Sequence, residues 1–321
     1  MESMWKSRKV VIVGAGAVGS TFAYALAQKG LADEISIIDV HADYVEGQVL
    51  DLAHGLPFYP PVQIRVGKNE DYADAQVIVI TAGAKQAPGE TRLDLIQKNA
   101  ALITGIVDDI VAQQSQAILL ITTNPVDILT YVALERSGWP KGRVIGSGTV
   151  LDSSRFRYLL SQHCSVDVSN VHAYILGEHG DSEFAAWSMT HVAGVSIDEY
   201  CRACAECDDW SIEREKIVQD VKESAYHIIN YKGATYYAIG MALVRIVGTI
   251  LQDQRSILTV STRLDGEYGI QDVCLSVPCL VGQEGVKQII NANLLPDEEA
   301  LLLKSATTLQ NALKQLALSK A

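Results

Sequence analysis

The 321 residues are 48% hydrophobic and 20% charged, which suits a soluble globular fold with a sizeable core. A net charge of −12 excludes non-specific nucleic-acid binding, which neutralises phosphates with Lys and Arg, but leaves small anionic ligands open, because those answer to local charge. No uninterrupted apolar run reaches a membrane span, and six cysteines in this length suit a reducing, cytoplasmic compartment.

Lys6, Arg8 and Lys9 precede an apolar run from Val10 to Ala27 that outwardly resembles a secretory signal. Gly14, Gly16 and Gly19 interrupt that run at a functional spacing, so it is expected to belong to the fold. Val10–Val13 is β-branched and reads as a buried strand. It leads into Gly14-Ala15-Gly16-Ala17-Val18-Gly19 and then a helix to about Lys29, with Phe22, Ala23, Leu26 and Ala27 on one face. Alone, the glycine pattern is weak. Between a strand and a helix the glycines serve a tight turn, the approach of backbone to a pyrophosphate, and close helix–strand packing. The helix N-terminus adds free N–H groups and positive potential for phosphates. A second strand-like run, Ile35–Ile38, ends at Asp39, 20 residues past Gly19. A carboxylate there accepts from both ribose hydroxyls and repels a 2′-phosphate, which favours NAD over NADP. Without the glycine loop, Asp39 would be no more than a strand-end turn residue.

Strand-like runs recur at Gln63–Val66, Val77–Thr81, Ala117–Thr122 and Arg143–Gly146, with helical stretches at Asp43–Leu52, Leu93–Gln113 and Pro125–Ser137. Six strands alternating with helices imply an α/β fold with a doubly wound parallel sheet, expected over residues 1–147. Ligands bind such sheets at the carboxyl ends of the strands. Two loops lie there. Thr81–Arg92 is broken by Gly83, Pro88 and Gly89 and is long enough to act as a lid bringing Arg92 over a polar substrate. Thr122–Asp127 sets Pro125 in the first turn of the next helix and points Asn124 into the site.

Beyond Ser147 the alternation fades, and residues 148–321 are expected to form an α+β substrate domain. Val150–Leu160 reads as a helix on which Asp152 and Arg155, three apart, share a face while Arg157 points nearly the opposite way. Arg155 is suited to a two-pronged grip on a carboxylate; the plainer reading of the pair is a weak surface ion bridge. An apolar strand, Val171–Leu176, runs into Gly177-Glu178-His179-Gly180-Asp181. A lone loop histidine would mean little. His179 has company: a carboxylate to fix its tautomer and cations to bind an anion, as a proton donor near neutral pH requires. Cys201, Cys204 and Cys207 have metal-site spacing, but helical geometry spreads them around the axis, and an exposed helix without metal is expected. Asp209–Asn230 reads as a charged amphipathic helix stopped near Gly233. Ser256–Leu264 and Asp272–Val281 read as antiparallel strands. The last helix, Asp297–Leu318, carries Leu302, Ala306, Leu309, Leu313 and Leu316 on one stripe.

Taken in order, the glycine loop, Asp51-Leu-Ala-His-Gly55, the lid, Thr123-Asn-Pro-Val-Asp127, Leu151-Asp152 and Gly177–Asp181 resemble the lactate/malate dehydrogenase family over nearly the whole chain, and within it the lactate-specific, allosteric bacterial branch. The resemblance implies a Rossmann NAD-binding domain and hydride transfer between NADH and pyruvate, giving L-lactate. It implies His179 as acid/base, Asp152 as its orienting carboxylate, Arg92 as the lid arginine polarising the carbonyl, and Arg155 as carboxylate anchor. Asn124 would add a polar contact, Thr235 would line the pocket, and Ile239 would face the nicotinamide, while Gly83 and Ala84 would join the cofactor contacts. Arg157 and His172 match the positions that hold the phosphates of an activator, fructose 1,6-bisphosphate, in a homotetramer. Only nine residues precede the first strand, so the resemblance is to forms without a long N-terminal arm. A malate or broader L-2-hydroxy acid dehydrogenase is the nearest alternative, and a non-catalytic NAD-binding redox sensor the more distant one. Loss of His179, Asp152 or Arg92 would have favoured the sensor, and all three are present.

Within the family the position of Gln86 sorts substrates. A neutral side chain gives a second substrate carboxylate no counter-charge, and burying that anion unpaired is costly. Gln86→Arg is therefore expected to shift kcat/KM strongly from pyruvate toward oxaloacetate; an unchanged ratio would remove Gln86 from the substrate.

Overall fold

The computed structural model describes residues 7–85, 89–204 and 209–318. Its first half alternates strand and helix: β1 (Lys9–Val13), α1 (Ala17–Lys29), β2 (Glu34–Ile38), α2 (Ala42–His54), β3 (Gln63–Val66), β4 (Val77–Ile80), α3 (Arg92–Ala112), β5 (Ile118–Ile121), α4 (Val126–Ser137) and β6 (Val144–Gly146). The six strands pair in parallel in the order β3-β2-β1-β4-β5-β6. β1, β4 and β5 are buried along their whole length, which explains why they read as continuous Val/Ile/Leu runs rather than as alternating ones. Strand order reverses between β1 and β4, so the loops leaving those two strands open a crevice, the usual dinucleotide position in such sheets.

Two glycines set that crevice. Gly14 has φ +106°, and a Cβ there would stand 2.6 Å from the Ala82 nitrogen; one on Gly19 would stand 1.9 Å from the Gly14 carbonyl oxygen. Neither position tolerates a side chain, and so α1 begins tight against β1 and β4.

The second half contributes α5 (Val150–His163), β7 (Val171–His172), β8 (Ile175–Leu176), β9 (Phe184–Ala185), β10 (His191–Val192), β11 (Val195–Ser196), α6 (Ile197–Cys204), α7 (Trp210–Lys232), α8 (Tyr237–Leu251), β12 (Ser256–Leu258), β13 (Ser261–Asp265), β14 (Gln271–Ser276), β15 (Cys279–Gly282), β16 (Gly285–Ile289) and α9 (Pro296–Leu318). A separate core gathers Phe156 and Leu160 of α5, Val171, Ile175, Val192, Ile197, and Ile217 and Val221 of α7. Trp187 meets Phe156 and Trp210 edge-on at centroid distances of 5.0 and 5.6 Å.

Several elements differ from the sequence reading. β13 and β14 do not stay with the second half: they extend the parallel sheet antiparallel beyond β6, with Ser261 opposite Gly146. The run Val171–Leu176 is two strands, because β7 pairs with β10 while β8 pairs with β9. α8 had no forecast; its apolar face packs on α1, where Gly240 admits Thr21. Pro125 is the residue before α4 rather than part of its first turn. The helix bearing Cys201 is not simply exposed, since Ile197 and Cys201 are buried in the second core; the Cys204 side chain and Cys207 lie outside the described residues. Among the described residues no helix is long and apolar enough to cross a membrane.

Candidate active site

The crevice between β1 and β4 has the features a dinucleotide needs. The residue capping α1, Gly16, contributes no side-chain hydrogen bond, leaving the first-turn N–H groups at Ala17, Val18 and Gly19 without a side-chain partner. A Cβ on Gly16 would meet nothing within 4 Å, so the space beside it is open for a ligand phosphate to approach the backbone. Asp39, at the end of β2, accepts from the Ala15 N–H at 2.8 Å and the His41 N–H at 3.0 Å, which fixes its carboxylate beside the glycine loop. Burial works to raise its pKa, but those donors outweigh it and hold the group below its usual value. On the facing loop, the Ala84 N–H donates to Asn99 at 2.8 Å and Asn99 donates onward to the Asn124 carbonyl at 3.0 Å. One α3 side chain thus joins both strand-end loops, with Gly83 packed so closely that a Cβ would stand 2.6 Å from Thr123.

The Gly177–Asp181 loop is fastened from four directions. Gly177, at φ +95°, exchanges two 2.9 Å backbone hydrogen bonds with Ser276 of β14. The Glu178 N–H donates to Ser305 of α9 at 2.6 Å, and the His179 N–H donates to Asp127 of α4 at 2.8 Å. The His179 ring turns to α5, its Nδ1 standing 2.6 Å from Asp152 Oδ2. α5 is itself tied to the strand before the loop: Thr149 donates to the Ile175 carbonyl and the Ile175 N–H donates to Ser153 at 2.9 Å.

Asp152 is 1% exposed and uses both oxygens, Oδ2 for His179 and Oδ1 for Arg155 Nη1 at 2.6 Å. With Asp152 buried and Arg155 half-buried, the pair is not the surface bridge that its i,i+3 spacing alone would suggest. Burial pushes Asp152 upward, but the charges of His179 and Arg155 prevail and keep it ionised below the usual range. Burial likewise opposes the imidazolium of His179, yet the charge and hydrogen bond of Asp152 lift it to about 9. Asp127 is pushed up to about 6 by burial, despite accepting from Ser261 at 2.6 Å and from the His179 backbone.

His179, Asp152, Arg155, Arg92 and Asn124 line one cleft of about 410 Å³, walled on its far side by Val221, Ala225 and Ile229 of α7. Arg92, at the end of the Thr81–Arg92 loop, is the first residue of α3; its guanidinium is 69% exposed and lies 3.8 Å from both Glu178 and Asp181. Thr235 sits between α7 and α8 and Ile239 in the first turn of α8, and neither lines the cleft. Gln86 is outside the described residues. Arg157 and His172 lie elsewhere, on a cavity of about 540 Å³ that they share with Tyr174 and Arg245.

Two family models account for nearly all of the chain: the NAD binding domain of lactate/malate dehydrogenase over residues 8–146, and the alpha/beta C-terminal domain of the same over residues 149–319. The chain belongs to the lactate/malate dehydrogenase family. It is 58% identical to an L-lactate dehydrogenase of Treponema denticola, across 97% of this chain and 99% of that protein, and 52% identical to one of Acetivibrio thermocellus, across 96% and 97%. A minor L-lactate dehydrogenase of Enterococcus mundtii, crystallised in a ligands-bound form, superposes with TM-score 0.93 at 43% identity, covering 97% of this chain and 98% of that one.

Sequence reasoning missed Asn99, Asp127 as a ligand of the His179 backbone, and Ser305. Asp127 stood inside a quoted motif, but no local pattern says that its carboxylate crosses to the other half. Asp127→Ala would leave the His179 N–H and the Ser261 hydroxyl without their acceptor, at about 1–3 kcal/mol for each group left unsatisfied. It is expected to lower both the unfolding midpoint and kcat; a variant changed in neither would mean the loop is held without Asp127.

Proposed function

We propose that this chain is an NAD-dependent L-lactate dehydrogenase, interconverting pyruvate and L-lactate through His179. The observation that carries the reading is an imidazole held at 2.6 Å by a buried carboxylate, which also holds an arginine lining the same cleft. Asp39 beside the glycine loop supports NAD over NADP, because a 2′-phosphate would meet its charge.

Arg155 grips the 2-oxo acid's carboxylate and sets its orientation, a task for which a planar guanidinium suits better than an ammonium. Arg92, lightly held at the cleft edge, turns to the carbonyl oxygen and polarises it. NADH, when bound, supplies the hydride. With Nδ1–H fixed by Asp152, His179 donates its Nε2 proton to the oxygen that becomes the lactate hydroxyl, and takes it back in the reverse direction. Asn124 adds a polar contact. Thr235 and Ile239 lie outside the cleft as it stands; the family resemblance assigns them to the pocket wall and the nicotinamide face, and both sit at the entrance to α8, the helix that packs on α1. A neutral Gln86 favours pyruvate over oxaloacetate. The same reading places the enzyme in the cytoplasm.

Reduction needs the imidazolium and oxidation the neutral ring. With His179 near 9, kcat for pyruvate reduction is expected to hold through neutral pH and fall above about pH 9, while kcat for lactate oxidation rises over the same range. Following NADH absorbance with pyruvate and with oxaloacetate across pH tests both substrate and proton donor. No turnover of pyruvate, or parallel profiles in the two directions, would overturn the reading.

The proposal extends to a homotetramer activated by fructose 1,6-bisphosphate. Arg157 lies on the side of α5 away from the cleft and donates from Nε to the Val171 carbonyl at 2.8 Å, on the strand that carries His172. With Arg245 nearby, the cavity offers cationic groups to phosphate. An effector acts only through its preference for the active state, typically about 1–3 kcal/mol. The bisphosphate is expected to move the pyruvate saturation curve to lower concentration in the wild type and not in Arg157→Gln. A wild-type curve that does not move would remove the activator and leave the dehydrogenase intact.

A further inference from the structure

Glu183 is a buried ionisable group in the cleft for which the reaction scheme above has no task. It follows the catalytic loop by two residues, its N–H donating to the Gly180 carbonyl at 3.1 Å, and it is 6% exposed. One oxygen of Glu183, one of Asp152 and a ring nitrogen of His179 lie within 4.8 Å of one another. Both Asp152 oxygens are engaged, by Arg155 and by His179, so Glu183 stands beside that chain and not within it. Two carboxylates this close and this sheltered do not both ionise at neutral pH. Asp152, with two cationic donors bonded to it, takes the charge.

The groups facing Glu183 agree. From α5 come the anion Asp152 and the cation Arg155; from the loop, His179; from α7, Lys222, whose ammonium donates to the Asp181 carbonyl at 3.2 Å. Arg92, the Asp181 carboxylate and the Tyr226 hydroxyl of α7 share the cleft with it, and Asp127 lies behind the His179 backbone. Burial first, then the charge of Asp152, push Glu183 up to about 8, against the smaller opposing pull of His179, Arg155 and Lys222.

We propose that Glu183 is a positioning residue that works as a neutral acid, its proton leaving Asp152 as the anion bonded to the His179 ring without a second charge beside it, and keeping the cleft attractive to a substrate carboxylate. Once ionised, it sets a second negative charge beside Arg155 and repels the 2-oxo acid. Pyruvate is then taken productively only when Glu183 and His179 both carry their protons. This rests on Arg155 as anchor and His179 as donor, as assigned above.

The test is the alkaline limb of kcat/KM for pyruvate in wild type and Glu183→Gln, whose amide copies the neutral acid and cannot ionise. In the wild type the fall should steepen to about a hundredfold per pH unit, as two protons are lost. In the variant it should stay near tenfold per unit and begin no earlier than in the wild type, since His179 alone is left to titrate there. Superimposable profiles, each losing one proton, would overturn the proposal, as would a variant weakened equally at every pH. An infrared titration of the wild-type NADH complex supplies a readout that needs neither the variant nor turnover. A carboxylic-acid carbonyl band should persist at neutral pH and disappear on the alkaline side. Its absence at neutral pH would overturn the proposal. A flat alkaline limb in both proteins would count against His179 as donor, and the infrared band would then decide on Glu183 alone.

Discussion

The site depends on one carboxylate having two cations to hold. Asp152 is buried, and an unpaired anion at such depth would be costly enough to neutralise itself by taking up a proton. Paired with Arg155 on one oxygen and His179 on the other, it stays charged, and its charge keeps the imidazole protonated. The electrostatics run in one line: Arg155 lets Asp152 ionise, and Asp152 lets His179 hold a proton that water-exposed histidine would give up. Breaking such a buried pair from one side costs about 3–5 kcal/mol, because the remaining charge is stranded. The arrangement is therefore all-or-none, and it links the proposed anchor to the proposed acid through a single side chain.

Geometry of this kind needs a rigid frame, and the fold supplies it by crossing its own halves. The loop that carries His179 belongs to the second half of the chain, yet Asp127 of the parallel-sheet half accepts its backbone N–H. β13 and β14 join that sheet from the other side, and β14 then holds Gly177 through a two-bond backbone pair. A histidine fixed to a sheet edge, two helices and a carboxylate has little freedom to swing. Pre-set orientation of this sort is what makes proton transfer effective without reorganisation at the moment of reaction.

How much of this was legible follows from how local each signal is. The glycine loop, Asp39, the alternating strands and the Asp152–Arg155 spacing are encoded within a few residues, and the structure places each in the expected element. α8 was missed because its exposed side carries Tyr237, Ala238 and Met241, with Arg245 its one charged residue, so little polar contrast in the sequence marks the apolar face that nine buried residues present to the core. The split of Val171–Leu176 into β7 and β8 was invisible because which partner a strand chooses is a long-range fact. Asn99 reads as an ordinary polar residue inside α3, and only the approach of two strand-end loops gives it its work. Nothing in the sequence singles out Glu183; its burial comes from packing that its neighbours in sequence do not announce.

The helix α5 joins these levels. Its cleft side carries Asp152 and Arg155, while Arg157, two residues on, faces the cavity with His172. Its first turn is bonded to β8 through Thr149 and Ser153, and Arg157 is bonded to the carbonyl of Val171 at the start of β7. A small rotation or shift of α5 would therefore move Arg155 in the cleft and Arg157 in the cavity together, and would strain the strand that leads into the histidine loop. Packed cores answer such a push by choosing between discrete arrangements and not by bending continuously. Under the proposed activation, an anion that prefers one position of Arg157 would prefer one position of Arg155 as well. Because binding couplings are reciprocal, a carboxylate docked on the proposed anchor Arg155 would then favour the proposed activator at Arg157 to the same degree.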